Sequence, residues 1–435
     1  MHGNRRYVKL AWIGLATGLT FASPAQADVV TQAADRGVLA VAPDGSPRVA
    51  YSVARDLYVA RRTGDGWSSA RVAHLPGAGV DLAGVAVERR GTVAVLAEDT
   101  GGKWIALARG RQLLRIGRAK GTNSYGAAGL TLDAHGRPAV AYGVRLRSRK
   151  TYLRLVTIDA EGRPRTRGIT LKGFPSSDLP PGAAPVLVAG RLHVVETYTS
   201  AAIDWGPKSG GGWEGQYLFA SRLGSPVGQV GAVVTGSTLW SAWTQSYPEL
   251  GAVSVLLTAS ATTQETNVAV QHGIFVSLVL ADGLPEIGAY DWVSIGDWYD
   301  FAAVVADGSG PFAELDGRLE SYAVSRDGGR QLLLSTESGL EWFDTPSRPA
   351  IHVSLSADAS GKLTGSVDGG KGGSVELYRE EPPGPRVPIA TVPVAPDGSF
   401  AGQADPPSSP TFYRAVYREP GSGVPYASLT RMPVG

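Results

Sequence analysis

A turn built around a single glycine recurs seven times along this chain, at Gly45, Gly91, Gly136, Gly190, Gly236, Gly283 and Gly328. The interval is about 46 residues, with one longer step between Gly136 and Gly190, and a fixed period of this size is the mark of a repeat architecture. The two best copies, "VAPDGSPRVAYSV" (41–53) and "LDAHGRPAVAYGV" (132–144), read as strand, tight turn, strand. Glycine at the turn admits a positive φ with no Cβ penalty. Weaker copies share the turn but little else.

Each repeat holds room for four short strands. The first shows them plainly as "GVLAVAPDG", "PRVAYSV", "DLYVARR" and "WSSARVA". Propeller blades have this content and run to about 40–50 residues. No apolar i, i+3, i+4, i+7 stripe is sustained after the N-terminal segment, and Gly 57 with Pro 29 in 435 residues also argues against helices. The seventh repeat has "LESYAVSRDG", "RQLLLSTE" and "GLEWFD" but no fourth strand. "DVVTQAA", just before the first repeat, is placed to supply it, which would remove two exposed sheet edges. The expected fold class is all-β: a seven-bladed β-propeller over 28–347, closed by the N-terminal strand and followed by a small β-sandwich over 350–435. The competing arrangement is a pair of β-sandwiches sharing similar turns. The sandwich expectation rests on clean alternation in "IHVSLSAD", "GKLTGSV", "SVELYREE" and "TFYRAVYRE", with turns every 8–12 residues or so.

Residues 1–27 carry Arg5, Arg6 and Lys9, then the apolar run "LAWIGLATGLTFA", then "SPAQA". That is the pattern of a secretory signal peptide cleaved after Ala27, so a secreted, extracellular protein is expected. The run is too short for the roughly 20 residues that span a membrane, so no membrane insertion is expected. Losing those three cations takes the formal charge from +2 to −1, which gives no general attraction to nucleic acid. Cysteine is absent, which excludes disulfides, thiol catalysis and Cys-based zinc sites.

The repeats resemble the sialidase-like, BNR-type propellers of secreted bacterial proteins. "SRDGGRQL" (325–332) matches that family's Asp-box at Ser325, Asp327 and Gly329, although within a turn between first and second strands. The family's arginine triad, Tyr–Glu pair and acid Asp find no residue-by-residue match, so the resemblance implies architecture alone. In the last fifth, "GSF" before "FYRAVY" is similar to bacterial immunoglobulin-like or fibronectin-III-like domains.

The chain has no G-x-S-x-G, H-E-x-x-H or P-loop pattern. "GGGWEG" spells G-x-G-x-x-G at Gly210, Gly212 and Gly215 without a βαβ context, so it reads as a loop and no cofactor is expected. The histidines lie apart, and no metal site is expected. Catalytic residues stay unassigned.

The links between second and third strands hold the unusual chemistry. Repeat four has Asp204, Trp205, Trp213 and Glu214 within 199–215; repeat five has Tyr247 and Glu249; repeat six has Asp291, Trp292, Asp297, Trp298, Tyr299 and Asp300 within "AYDWVSIGDWYDFA". Trp and Tyr beside carboxylates suit sugars, because rings stack on C–H faces and carboxylates accept hydroxyl hydrogen bonds. The same residues suit a protein partner. The leading expectation is thus a secreted, non-catalytic protein that binds a glycan or a surface protein through this loop face. An extracellular glycosidase or polysaccharide lyase using paired carboxylates such as Asp291 and Asp297 is the second reading. A structural envelope component is the third.

Overall fold

The computed structural model describes residues 28–432 apart from 35, 65, 76–79, 100–102, 119–123, 147–150, 170–181, 199–200, 221–224, 248–251, 261, 269–273, 296–297, 308–309, 346–349, 371, 381–385 and 407–410. Among the described residues every regular element is a β-strand, and the chain is all-β. All seven repeat glycines have positive φ, from 59° at Gly236 to 89° at Gly328. Each therefore occupies the left-handed region in which a side chain is strained.

The strands fall into antiparallel four-stranded units in chain order. Unit one is Gly37–Val41, Pro47–Val53, Asp56–Thr63 and Gly66–His74; unit two is Val80–Val87, Val93–Asp99, Trp104–Arg109 and Gln112–Arg118. Unit three is Ala127–Leu132, Pro138–Arg145, Thr151–Ile158 and Pro164–Ile169; unit four is Gly182–Val188, Arg191–Tyr198, Ala201–Pro207 and Trp213–Ala220. Unit five is Ser225–Thr235, Thr238–Tyr247, Ala252–Ala259 and Thr262–Val268; unit six is Ile274–Ala281, Leu284–Ile295, Trp298–Asp307 and Gly310–Asp316. Unit seven takes Arg318–Val324, Arg330–Thr336 and Gly339–Thr345 from its own stretch and Asp28–Thr31 from the N-terminus.

Asp28 and Val29 pair with Trp342 and Glu341. Val30 is buried in one apolar cluster with Leu39, Val49, Leu333 and Leu340, so residues from both ends of the repeat array share a core. Arg62 holds Asp28 at 2.7 Å and lies over the Trp342 ring. Elsewhere, the apolar clusters run between successive units, as where Ala139 and Leu155 of unit three meet Val194 and Ile203 of unit four. The first strands contact one another in chain order and the last contacts the first.

The C-terminal segment forms two antiparallel sheets. One is His352–Ala357, Lys362–Asp368 and Ser399–Gln403; the other is Ser374–Glu380, Val387–Pro393, Thr411–Arg418 and Pro425–Met432. The second continues unit six through Leu315 paired with Tyr426. Beside that junction Arg414, Glu380, Asp316 and Arg386 interlock: Arg414 donates to Glu380 at 2.6 Å and to Asp316 at 3.2 Å, and Arg386 reaches Asp316 at 2.8 Å and Glu380 at 3.1 Å. Arg414 and Glu380 are buried, so each charge depends on the other for solvation.

Two stability experiments test this frame. Gly339 has φ 109°, and a Cβ there would drive into the backbone of Thr31 and Gln32. Gly339→Ala should lower the thermal midpoint more than Gly45→Ala, whose Cβ meets nothing and which bears only a left-handed penalty of about 1–2 kcal/mol. Equal losses would show that the N-terminal strand adds nothing. Removing one buried charge with Glu380→Ala should cost about 3–5 kcal/mol in chemical denaturation.

Candidate functional site

The first strands of all seven units surround one axial cavity of about 640 Å³. Its wall mixes apolar side chains, such as Leu39, Val85, Leu130 and Val279, with glycines and with polar side chains such as Thr131, Ser277 and Ser321. Polar groups gather at one end, where each first strand begins and where second strands turn into third strands. The glycine turns lie at the other end. Arg36 precedes the first strand of unit one, Asp81 opens that of unit two, and Arg318 and Glu320 open that of unit seven. Glu98 closes the second strand of unit two, and Tyr290 comes from the second strand of unit six.

These groups act on one another. Arg36 Nη1 donates to Asp81 Oδ1 at 2.7 Å, and Arg318 Nε to Glu320 Oε1 at 2.5 Å. Asp81 and Glu98 are direct cross-strand partners, a placement that brings side chains together on one face. Burial in the wall pushes the Glu98 carboxyl up to about 7. The Ala128 N–H, donated to its Oε2 at 3.1 Å, works against that shift, and the Asp81 charge adds to it. Burial also raises Glu320, against the pull of Arg318, and raises the Tyr290 phenol. The mouth thus holds two guanidinium groups, one carboxylate paired with each, a carboxyl poised near neutrality and an aromatic ring. This set can donate and accept hydrogen bonds with little net charge.

The residues expected from sequence distribute differently. Asp204 and Trp205 do not occupy a loop between second and third strands; they lie within the third strand of unit four, Ala201–Pro207. The glycine-rich stretch 208–212 is the next turn, from third to fourth strand, and leaves the unit at the end opposite the mouth. Trp205 is 2% exposed and packs in the core between units three and four, with Gly215 against its ring. Trp213 is half-buried against the same cluster, and Glu214 is exposed beside Lys208 at 3.6 Å. These four therefore do not share a face with the repeat-five and repeat-six residues.

In unit six the expected loop is mostly strand. Leu284–Ile295 and Trp298–Asp307 pair up to Ile295 and Trp298, so Asp291, Trp292, Trp298, Tyr299 and Asp300 belong to the arms of a long hairpin at the mouth end. Only the backbone of these five is described. Asp297 and Glu249 lie outside the described residues. Tyr247, at the end of the second strand of unit five, is half-buried at the mouth end.

One polar cleft was not anticipated. His193 Nδ1 stands 3.0 Å from both carboxylate oxygens of Asp204, beside Lys208 and Glu214 in a cavity of about 410 Å³. The imidazole lies over Gly206, where a Cβ would come within 2.8 Å of it. Nearby, Glu196 is buried within unit four, and burial pushes its carboxyl up to about 8 despite the Trp205 indole, which favours the charged form. Among the described residues no group of three or more metal-binding side chains occurs.

No family model matches the chain, and no curated protein matches it. Solved structures similar to it include an oligogalacturonate lyase from Vibrio parahaemolyticus, at 10% identity over 72% of this chain and 92% of that one, with a TM-score of 0.45. The polysaccharide lyase Uly1 is similar at 11% identity over 74% and 91%, with a TM-score of 0.41. A glucose dehydrogenase is similar at 14% identity over 73% and 98%, with a TM-score of 0.39. Likeness at this level, spread over unrelated activities, does not choose a function.

The buried carboxyl of Glu196 makes stability depend on pH with a definite sign. Between 4.5 and about 8 the folded chain keeps a proton that the unfolded chain has released. Its contribution is full below 4.5 and is lost as pH rises to about 8. Glu196→Gln should therefore raise the melting temperature relative to wild type at a pH of about 8 and change it least at about 5. An equal effect at both would mean that Glu196 is ionised in the fold.

Proposed function

We propose that this chain is a secreted, carbohydrate-binding seven-bladed β-propeller with a C-terminal immunoglobulin-like sandwich, and that its ligand sits in the mouth of the axial cavity. The architectural reading is supported by the seven four-stranded units, by the contact between the last and first of their leading strands, and by the N-terminal strand in unit seven. Export is supported by the signal-like composition of residues 1–27.

The observation that carries the ligand assignment is the mouth itself: Arg36, Asp81, Glu98, Tyr290, Arg318 and Glu320 converge on one axial cavity of mixed polar and apolar lining. A strongly anionic or cationic ligand would have to break the Arg36–Asp81 and Arg318–Glu320 pairs. A neutral polyol adds hydrogen bonds to them without doing so, since each guanidinium and carboxylate has further donor or acceptor positions. Convergent polar groups fix a ligand's orientation in small-ligand sites, and Tyr290 offers a ring for stacking.

A second reading, an extracellular glycosidase or lyase at the same mouth, is favoured by one observation. Asp81 and Glu98 form a cross-strand carboxyl pair, with Glu98 poised near neutrality to give or take a proton and Asp81 ion-paired with Arg36. On that reading Glu98 is the acid–base group.

A glycan array and a panel of soluble polysaccharides, probed with the protein from Asp28 onward, test both readings. Arg36→Ala, Glu98→Gln and Tyr290→Ala should each weaken glycan binding by about tenfold, whereas Glu214→Ala at the opposite end should leave it unchanged. Retention of no glycan, or variants that bind like wild type, would overturn the assignment. Release of new reducing or unsaturated ends, abolished by Glu98→Gln, would establish the catalytic reading instead.

A further inference from the structure

The axial cavity has a neighbour. A second cleft, of about 350 Å³, lies between units six and seven and the C-terminal sheet that continues unit six. Its floor comes from the link Asp316–Arg318 and from the turn Thr336–Ser338 between the second and third strands of unit seven. Both belong to the mouth end. Its far wall comes from the C-terminal sheets, through Tyr378, Arg386 and Arg418. Arg318 lines both cavities. Arg318 therefore borders both the axial mouth and the cleft, and its guanidinium is fixed there by Glu320.

The cleft is lined by polar groups of both signs, as the mouth is. Arg418 is 46% exposed and stands 3.8 Å from Glu376, too far for a tight hydrogen bond, so its donors can meet a ligand. Tyr378 donates its hydroxyl to Glu376 at 2.8 Å, which fixes the phenol on the cleft wall. Glu337 and Ser338 of the opposite turn are exposed. The wall is held in place: Arg386 and Arg414 are ion-paired to Asp316 and Glu380 across the junction. A fixed second site next to the first is what a chain-like ligand needs, because the second contact is then made without a further loss of translational freedom.

We infer that the axial mouth and the interdomain cleft together form one extended site for a linear oligosaccharide, with the C-terminal domain supplying the distal subsite through Tyr378 and Arg418. This rests on the carbohydrate reading above. It assigns the last domain a share of recognition and makes the preferred ligand longer than a single sugar.

Isothermal titration of the protein from Asp28 onward with gluco-, chito- and manno-oligosaccharides, each series running from mono- to hexasaccharide, tests it. In the series that binds, affinity should climb with length by about tenfold or more, equivalent to 1.4 kcal/mol. Arg418→Ala and Tyr378→Phe should abolish most of that gain while leaving the shortest binding ligand unaffected. Arg418 is exposed and Tyr378→Phe keeps the ring, so both variants should fold, which a thermal melt verifies. Affinity independent of length, or variants that weaken short and long ligands alike, would overturn the extended site and leave mouth binding standing. Binding by no member of any series would overturn both.

Discussion

The arrangement depends on one short piece of backbone pairing, that of Asp28 and Val29 with Trp342 and Glu341. A row of antiparallel sheets ends in two open edges, each with unpaired N–H and C=O groups that invite other chains. Here the outer edge of the last unit is filled by the segment that precedes the first, and the apolar side chains of the two ends merge around Val30 and Leu333. Because the leading strands then contact one another all the way round, their first residues converge on a single axis. The cavity mouth follows from that convergence. Arg36, Asp81 and Arg318 are distant in sequence, and only the meeting of units one, two and seven places them on one rim.

The second constraint is the buried charge group at the junction with the C-terminal sheets. Four charged side chains with so little water are tolerated because each carboxylate accepts from two guanidiniums. An array of this kind contributes little net stability compared with an apolar contact, but it is unforgiving of displacement, since any shift leaves a charge unsolvated. Its effect is to set orientation. The C-terminal sheet meets unit six at the mouth end in a defined register, and the cleft between them keeps its shape.

Much of the frame was legible in the sequence because glycine reports backbone conformation directly. Seven turns needed positive φ, and seven glycines marked them. The missing fourth strand of unit seven was likewise visible as a pattern that stopped after "GLEWFD", with "DVVTQAA" left over at the other end. Unit four was misread for an equally physical reason. In Ala201–Pro207 most residues are buried on both faces of the sheet, so the alternation that identifies a half-exposed strand is absent. Asp204 inside it looked like loop chemistry, whereas its carboxylate is engaged by His193 from the adjacent strand. The hairpin of unit six reads as a loop in the sequence because its arms carry acids and aromatics beyond the length of an ordinary strand.

Asp81 and Glu98 escape sequence reading because each is a polar side chain near the start or end of an apolar strand. Asp81 in "VDLAGVAV" and Glu98 in "VAVLAED" look like the common polar caps of strands that enter solvent. What sets them apart is register. Asp81 stands directly opposite Glu98, and acids in that relation repel unless one is neutralised by a cation or keeps its proton. Both remedies occur here: Arg36 neutralises Asp81, and Glu98 holds its proton to near neutrality. A chain shaped by stability alone would place an apolar or oppositely charged partner at one of these positions. Retaining a strained acid pair on the rim of a cavity is the kind of local conflict that marks a site used for binding or proton transfer.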